Sequence, residues 1–96
     1  MILVRTVFQA KFGRTGELAA QFVRSITNFP EIANARVLTD LSGPFGTVIL
    51  EYAAESLDDV FRSRLEMFAD PEFAERNAAI AGLIKSGRNE YYTIES

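Results

Sequence analysis

The chain has 96 residues, with 10 Lys and Arg against 13 Asp and Glu, a net charge of −3, and no His, Cys or Trp. Without Cys it has no disulfide, thiolate nucleophile or cysteine-based metal site, and without His it has no imidazole base, Ser-His-Asp triad or axial His for haem. The length and the apolar share of 48% fit a single globular domain, residues 1–96. Proton chemistry is left to carboxylates, Tyr, Lys and Arg.

The apolar start of the chain is too short for a targeting or membrane segment. Residues 1–4 are apolar, but Arg5 interrupts them. A secretory core needs about 7–15 apolar residues and a membrane span about 20. We therefore expect a soluble, cytoplasmic protein with no membrane partner.

The first elements in chain order are a strand and a helix. Residues 2–10 are rich in β-branched and aromatic side chains and predict a strand. Thr15 is a suitable N-cap for the helix that follows. The segment Asn28-Phe29-Pro30 ends that helix, because the residue before proline is pushed out of the α region.

A hairpin follows. Residues 35–41 and 47–53 predict two strands, and the turn between them contains Gly43 and Gly46.

The last third predicts two helical pieces and a final strand. Ser56 caps the first piece, and Asp70 with Pro71 begins the second. Ser86-Gly87 ends it, and residues 89–95 predict the last strand. The apolar stripe of the first piece is Leu57, Phe61, Leu65 and Phe68, and that of the second is Phe73, Ile80, Leu83 and Ile84, with Asn77 on the same face.

The element order βαββααβ predicts an α+β, ferredoxin-like fold. Two right-handed crossovers place all helices on one face of a four-stranded antiparallel sheet. The opposite face, here called the open face, then has no cover within the chain. Strand alternation assigns to it Leu3, Arg5, Val7, Gln9, Arg36, Leu38, Asp40, Thr47, Ile49, Glu51, Tyr91, Thr93 and Glu95.

The apolar members of this set would be a large patch for a monomer to expose. A second copy of the chain is the simplest cover, because two-fold pairing is the commonest form of oligomer. Two sheets face to face would enclose an apolar lumen into which the charged side chains project. The alternative is an ordinary solvated sheet face.

Several short motifs together resemble the NIPSNAP-like branch of the dimeric α/β-barrel superfamily. They are Gly43-Pro44-Phe45-Gly46 before a strand ending Glu51-Tyr52, then Ser56-Leu57, Asp70-Pro71-Glu72-Phe73, Arg5-Thr6 and Tyr91-Tyr92. Val7 departs from the pattern, since relatives often have Tyr there. The resemblance implies a homodimer whose sheets form a barrel with a pocket in each half. The wider superfamily includes cofactor-free monooxygenases of aromatic polyketide-like substrates, isomerases and haem-degrading enzymes. The haem branches rely on His, so we expect no cofactor.

The candidate catalytic residues are Glu51, Arg5 and Tyr91. Cofactor-free oxygenation requires a group that deprotonates the substrate and groups that stabilise its enolate. Glu51 is the lumen carboxylate nearest the sheet centre, while Arg5 or Arg36 would bind the oxygen and Tyr91 would donate to it. A structural Arg5–Glu51 pair is the competing interpretation. The candidate ligand-binding residues, for a small amphipathic or aromatic molecule, are Leu3, Arg5, Val7, Arg36, Leu38, Thr47, Ile49, Glu51 and Tyr91.

Other functions are less well supported. A structural or interaction dimer with a filled lumen and an ACT-like regulatory module remain alternatives. RNA-recognition domains share this topology, but Phe45-Gly46-Thr47-Val48 lacks the aromatic strand positions, and the negative net charge disfavours nucleic acid. The helical carboxylates have no calcium-loop spacing, so no metal site is predicted. The sequence does not decide whether the protein is an enzyme.

Overall fold

Four antiparallel strands and three helices follow one another in the predicted order. The structure is a computed structural model in which residues 1–28 and 34–96 are described. Its elements are β1 (Ile2–Ala10), α1 (Thr15–Asn28), β2 (Arg36–Thr39), β3 (Thr47–Ala54), α2 (Leu57–Phe68), α3 (Pro71–Ala81) and β4 (Ile84–Thr93). The strand order is β2-β3-β1-β4, with every neighbouring pair antiparallel. The ferredoxin-like prediction is confirmed.

The starts of α2 and α3 follow the predicted capping chemistry, whereas Thr15, predicted as the N-cap of α1, is the first residue of that helix. The hydroxyl of Ser56 accepts a hydrogen bond from the backbone N–H of Asp59 at 3.2 Å, and the carboxylate of Asp70 accepts one from Glu72 at 3.0 Å. Each cap satisfies a backbone donor that the first helical turn cannot. The helix α1 ends at Asn28, whereas Phe29 and Pro30, on which that prediction depends, lie outside the described residues.

The core lies between α1 and the sheet. Leu18 and Phe22 of α1 pack against Val48 of β3, and Ile80 of α3 joins the same cluster. The rings of Phe8 and Phe22 are 5.0 Å apart, centroid to centroid. Phe8 therefore fixes the even-numbered residues of β1 on the helix face and the odd-numbered ones on the open face.

The strand β4 begins at Ile84, so its predicted start at residue 89 is wrong. Gly82, not Gly87, follows the end of α3. Gly87 lies inside the strand opposite Phe8, where an added Cβ would approach the Cδ1 atom of that ring to 2.9 Å. Glycine is required there by the close passage of an aromatic ring, not by a helix end.

A β-bulge at Lys85 shifts the alternation of β4. Gln9 is opposite Ser86, but Ala10 is opposite Ile84, which leaves Lys85 as the extra residue. Ile84 therefore packs on the core while Ser86 lies on the open face. The same phase places Tyr91 on the helix face and Tyr92 on the open face, opposite to the predicted assignment.

The outward side of α2 differs from prediction as well. Val60 is the buried residue of this helix, while Leu65 and Phe68 of the predicted stripe are 73% and 65% exposed. Asn77, expected to be buried within the α3 stripe, is exposed. None of the helices in the described part of the chain has the length and apolar character that crossing a membrane requires.

The passage of β4 beside Phe8 makes a testable prediction. We expect Gly87→Ala to lower the free energy of unfolding by about 1–3 kcal/mol, because the new methyl group must displace the Phe8 ring. Urea unfolding measures the effect. Gly16→Ala is the matched control: nothing lies within 4 Å of its Cβ position, so it should be neutral or stabilising. Equal stability of the two variants would contradict the close approach.

Candidate functional site

A row of alternating charges crosses the open face from edge to edge. Arg36 of β2 is opposite Glu51 of β3, which is opposite Arg5 of β1, which is opposite Glu90 of β4. We call these four residues the charged row. Because directly opposed side chains on one face lie close together, the strand register alone brings the four groups into contact.

Glu51 is the centre of the row. Its Oε2 atom lies 3.1 Å from Nε of Arg5, and its Oε1 atom accepts a hydrogen bond from Nε of Arg36 at 2.7 Å. The Nε–H group of Arg5 does not point at the Glu51 carboxylate, so this contact is an ion pair without hydrogen-bond geometry. Glu51 is only 4% exposed. The predicted pairing of Arg5 with Glu51 is present.

The β4 end of the row carries a second carboxylate cluster. Glu90 accepts hydrogen bonds from Nε of Arg88 at 2.7 Å and from the hydroxyl of Tyr92 at 2.9 Å. The bond from Arg88, followed by the one from Tyr92, lowers the pKa of Glu90, because both favour its charged form. The same bond to Glu90 raises the pKa of Tyr92.

Apolar side chains flank the charged row on both sides. Leu3 and Tyr92 are opposed on one side, and Val7 is opposite Ile49 on the other. Ile49 and Leu38 also border a groove of about 400 Å³ beside the β2–β3 hairpin. The open face thus combines apolar surface with the guanidinium groups of Arg5, Arg36 and Arg88 and the carboxylates of Glu51, Glu90 and Asp40.

The open face brings together eight of the nine predicted ligand-binding residues. They are Leu3, Arg5, Val7, Arg36, Leu38, Thr47, Ile49 and Glu51. Tyr91 is separated from them, on the helix face, so its predicted place beside Arg5 and Glu51 is wrong. Sequence reasoning missed Arg88, Glu90 and Tyr92, which share the face instead. A signal was available in the charges: pairing Glu90 with Arg5 would have placed the even-numbered residues of β4 on the open face.

Tyr91 belongs to a second polar cluster, between α2 and the sheet. Nη1 of Arg64 donates a hydrogen bond to the hydroxyl of Tyr91 at 2.6 Å, and its guanidinium carbon lies 5.5 Å from the centre of that ring. Nη2 of Arg64 donates to Oδ1 of Asn89 at 3.2 Å, and the hydroxyl of Thr6 donates to the same oxygen at 2.9 Å. These four side chains form the helix-face cluster.

The helix-face cluster has an aromatic boundary. The ring of Phe61 meets that of Tyr91 edge-on, with centroids 6.2 Å apart. Burial raises the pKa of Tyr52, and the charge of Arg64 partly opposes that effect. Tyr91 accepts from Arg64, while its own hydroxyl hydrogen has no acceptor among the described residues. Tyr91 is therefore able to donate to a bound oxygen atom.

No group of three or more carboxylates with metal-binding geometry occurs in residues 1–28 and 34–96. Asp59 and Asp70, two of the helical carboxylates, lie at helix starts: Asp70 caps α3, and Asp59 lies in the first turn of α2 beside Arg62. These observations support the helical carboxylates as surface and capping groups.

Comparison with solved structures identifies the fold class. No family model matches the sequence, and no curated protein matches it. A NIPSNAP domain protein from Burkholderia xenovorans superposes with a TM-score of 0.87 at 15% identity, over 100% of this chain and 96% of that one. A NIPSNAP family protein from Agrobacterium tumefaciens gives 0.84 at 20% identity, over 96% and 90%.

A second group of similar structures carries a different name. A provisionally assigned antibiotic biosynthesis monooxygenase from Nitrosomonas europaea superposes with a TM-score of 0.76 at 10% identity, over 100% of both chains. One from Chloroflexus aurantiacus gives 0.74 at 16% identity, over 99% of this chain and 93% of that one. The chain therefore has a ferredoxin-like fold of the NIPSNAP-like type, shared with monooxygenase-like proteins.

The burial of Glu51 between two arginines makes a prediction about stability. We expect Glu51→Gln to lower the free energy of unfolding by about 2 kcal/mol, because it leaves Arg5 and Arg36 without their shared counter-charge. Glu17→Gln removes the partner of Arg14 in an exposed pair and should change stability by less than about 0.5 kcal/mol. Urea unfolding at neutral pH compares the two. If both variants lost less than about 0.5 kcal/mol, the ion pairs of Glu51 would not stabilise the fold.

Proposed function

We propose that the chain acts as a homodimer whose paired open faces hold a small amphipathic or aromatic molecule bearing an anionic or enolic oxygen. The observation that supports this most directly is the charged row within an apolar face. The row holds the two guanidinium groups of Arg5 and Arg36, and Arg88 lies beside it, although the whole chain has a net charge of −3. The side chains of Arg36 and Arg88 are 65% and 64% exposed, whereas Glu51 is buried and Glu90 is 20% exposed, so the accessible charge around the row is mainly positive.

The geometry favours Arg36 as the anchor for such an oxygen. Its side chain is 65% exposed, whereas that of Arg5 is 30% exposed and lies between two carboxylates. A guanidinium group offers several donors in a planar fork that suits carboxylate and enolate oxygens. Glu51 is a poor candidate for a general base, because both of its oxygens face arginine side chains. Its role in this proposal is to orient Arg5 and Arg36.

A matched pair of fluorescent molecules tests the proposal. 1-Anilinonaphthalene-8-sulfonate is an aromatic anion, and N-phenyl-1-naphthylamine is its neutral analogue. Binding is followed through the backbone amide shifts of Ile49 and Glu51. We expect Arg36→Gln to weaken the sulfonate about tenfold and the neutral analogue less than twofold, because only the sulfonate needs the guanidinium group. Arg36→Lys should recover part of the affinity.

Arg24→Gln provides the control, since it removes an exposed positive charge from α1. Light scattering at micromolar concentration should give the mass of two chains for the wild type, and Ile49→Asp should give one. A monomeric wild type, or equal losses for both molecules in Arg36→Gln, would overturn the proposal. A lumen filled by its own side chains would appear as a dimer without saturable binding, and this outcome selects the structural alternative.

A cofactor-free monooxygenase-like reaction is the second candidate function, and the helix-face cluster favours it. The free hydroxyl hydrogen of Tyr91 and the charge of Arg64 would stabilise an enolate oxygen. In such a reaction O₂ converts the methylene of an anthrone to a ketone: one oxygen atom enters the product, and the other leaves as water with the two hydrogens. The monooxygenase-like names of two similar structures agree with this chemistry.

The adjacent tyrosines allow a controlled test. Dithranol, an anthrone that ionises readily, is the substrate, and oxygen uptake above the buffer rate is measured with a chelator present. We expect Tyr91→Phe to reduce the rate at least tenfold, because the enolate loses its donor. Tyr92→Phe removes only a bond to Glu90 on the other face and should stay within twofold. No uptake by the wild type, or equal losses in both variants, would contradict the assignment.

A further inference from the structure

A second pocket lies at the bulged end of the sheet, where β1 ends and β4 begins. It has a volume of about 550 Å³ and is bordered by the β1–α1 loop, the β2–β3 hairpin and the first residues of β4. Volumes of about 300–1,000 Å³ are typical of small-molecule sites. We call it the end pocket. The side chains that carry the argument below are Lys11, Lys85, Phe12, Phe45 and Asp40.

Both lysines of the chain border the end pocket. Lys11 follows the last residue of β1, and Lys85 is the extra residue of the β-bulge. Neither ammonium group has a hydrogen-bond or ion-pair partner in the part of the chain that the structure describes. A bulge redirects a side chain away from the regular alternation of its strand. The bulge thus brings the unpaired charge of Lys85 to the pocket that Lys11 already borders from the β1–α1 loop.

The negative group at this pocket is already engaged. Asp40 accepts a hydrogen bond from the backbone N–H of Thr47 at 3.1 Å, which holds the hairpin closed. Gln9 donates to the hydroxyl of Thr47 at 3.0 Å. With one engaged carboxylate against two ammonium groups, the pocket favours a ligand that carries negative charge.

Two aromatic side chains flank the same pocket in full contact with solvent. Phe12 is completely exposed and Phe45 is 93% exposed. Exposed phenylalanine on a loop has no folding role in the monomer, whereas a ring beside a pocket offers a stacking surface to a flat ligand.

The frame of the end pocket is fixed by backbone contacts. The N–H of Lys11 donates to the carbonyl of Leu83, and that of Ala10 donates to the carbonyl of Gly46, both at 2.8 Å. Gly46 has a φ of +77°, and an added Cβ would lie 3.2 Å from the carbonyl oxygen of Ala10. The strand end, the hairpin and the bulge are therefore tied together before any ligand arrives, which lowers the ordering cost of binding.

We propose that the end pocket is a second ligand site, for a small aromatic molecule with a carboxylate or phosphate group. Lys11 and Lys85 bind the anionic group, and Phe12 and Phe45 stack on the ring. The site is separate from the charged row, and it does not depend on the function proposed for the open face.

The test uses 2-naphthoate as the aromatic anion and 2-naphthylmethanol as its neutral analogue. Binding is followed through the amide shifts of Phe12, Gly46 and Lys85. We expect saturable binding of naphthoate that weakens about tenfold or more in Lys11→Gln/Lys85→Gln, with little change for the alcohol. Arg24→Gln/Arg62→Gln removes the same charge elsewhere and should leave binding unchanged. Phe12→Ser/Phe45→Ser should weaken both molecules.

Phenyl phosphate and inorganic phosphate test the contribution of the aromatic ring apart from that of the anionic group. Phenyl phosphate should bind, and inorganic phosphate should bind at least tenfold more weakly. Sedimentation with vesicles of phosphatidylglycerol and phosphatidylcholine examines a lipid source of the anionic group. Lysine-dependent binding to vesicles without binding of naphthoate would overturn the proposal and assign the loops to a membrane surface. It would also be overturned by unchanged naphthoate affinity in the lysine variant, or by loss of a dimer in the phenylalanine variant.

Discussion

The extra residue at Lys85 is the constraint on which the arrangement of both faces depends. Because of it, Ile84 packs on the core while Ser86 lies on the open face. Strict alternation from Ile84 would instead place Ser86, Glu90 and Tyr92 on the helix face. Glu90 thereby faces Arg5, and Tyr91 turns toward Arg64 instead of the open face. Without the bulge, either the core would lose Ile84 or the charged row would lose its fourth member.

The parts of the fold that sequence reasoning predicted well are those with strong local signals. The caps at Ser56 and Asp70 follow from short-range chemistry, and β1 follows from a dense run of β-branched and aromatic residues. The start of β4 lacked such a signal. Gly87 next to Ser86 is typical of a helix end, while its actual role depends on Phe8, which is 79 positions away in the chain and adjacent in space.

Most of the candidate site was predictable, and the residues that were missed all belong to β4, whose two faces were assigned the wrong way round. Alternation assigned the open-face residues of three strands correctly, because each of those strands has a clear apolar side. The strand β4 offers two consecutive tyrosines, so hydropathy cannot separate its faces. In α2, the apolar stripe of Leu57 and Phe61 competed with the side that carries Val60 and Arg64. The side with Val60 and Arg64 packs on the sheet, because Arg64 donates hydrogen bonds to Tyr91 and Asn89 of β4.

The charged row also has a direction. Read from β2 to β4, its four opposed residues run positive, negative, positive, negative, so its two ends differ in sign. If a second copy packs on this face about a two-fold axis parallel to the strands, the partner row is reversed and every charge meets its opposite. An axis parallel to the row would instead set like against like. For such a pair, the four side chains of the charged row would favour the axis parallel to the strands over the axis parallel to the row.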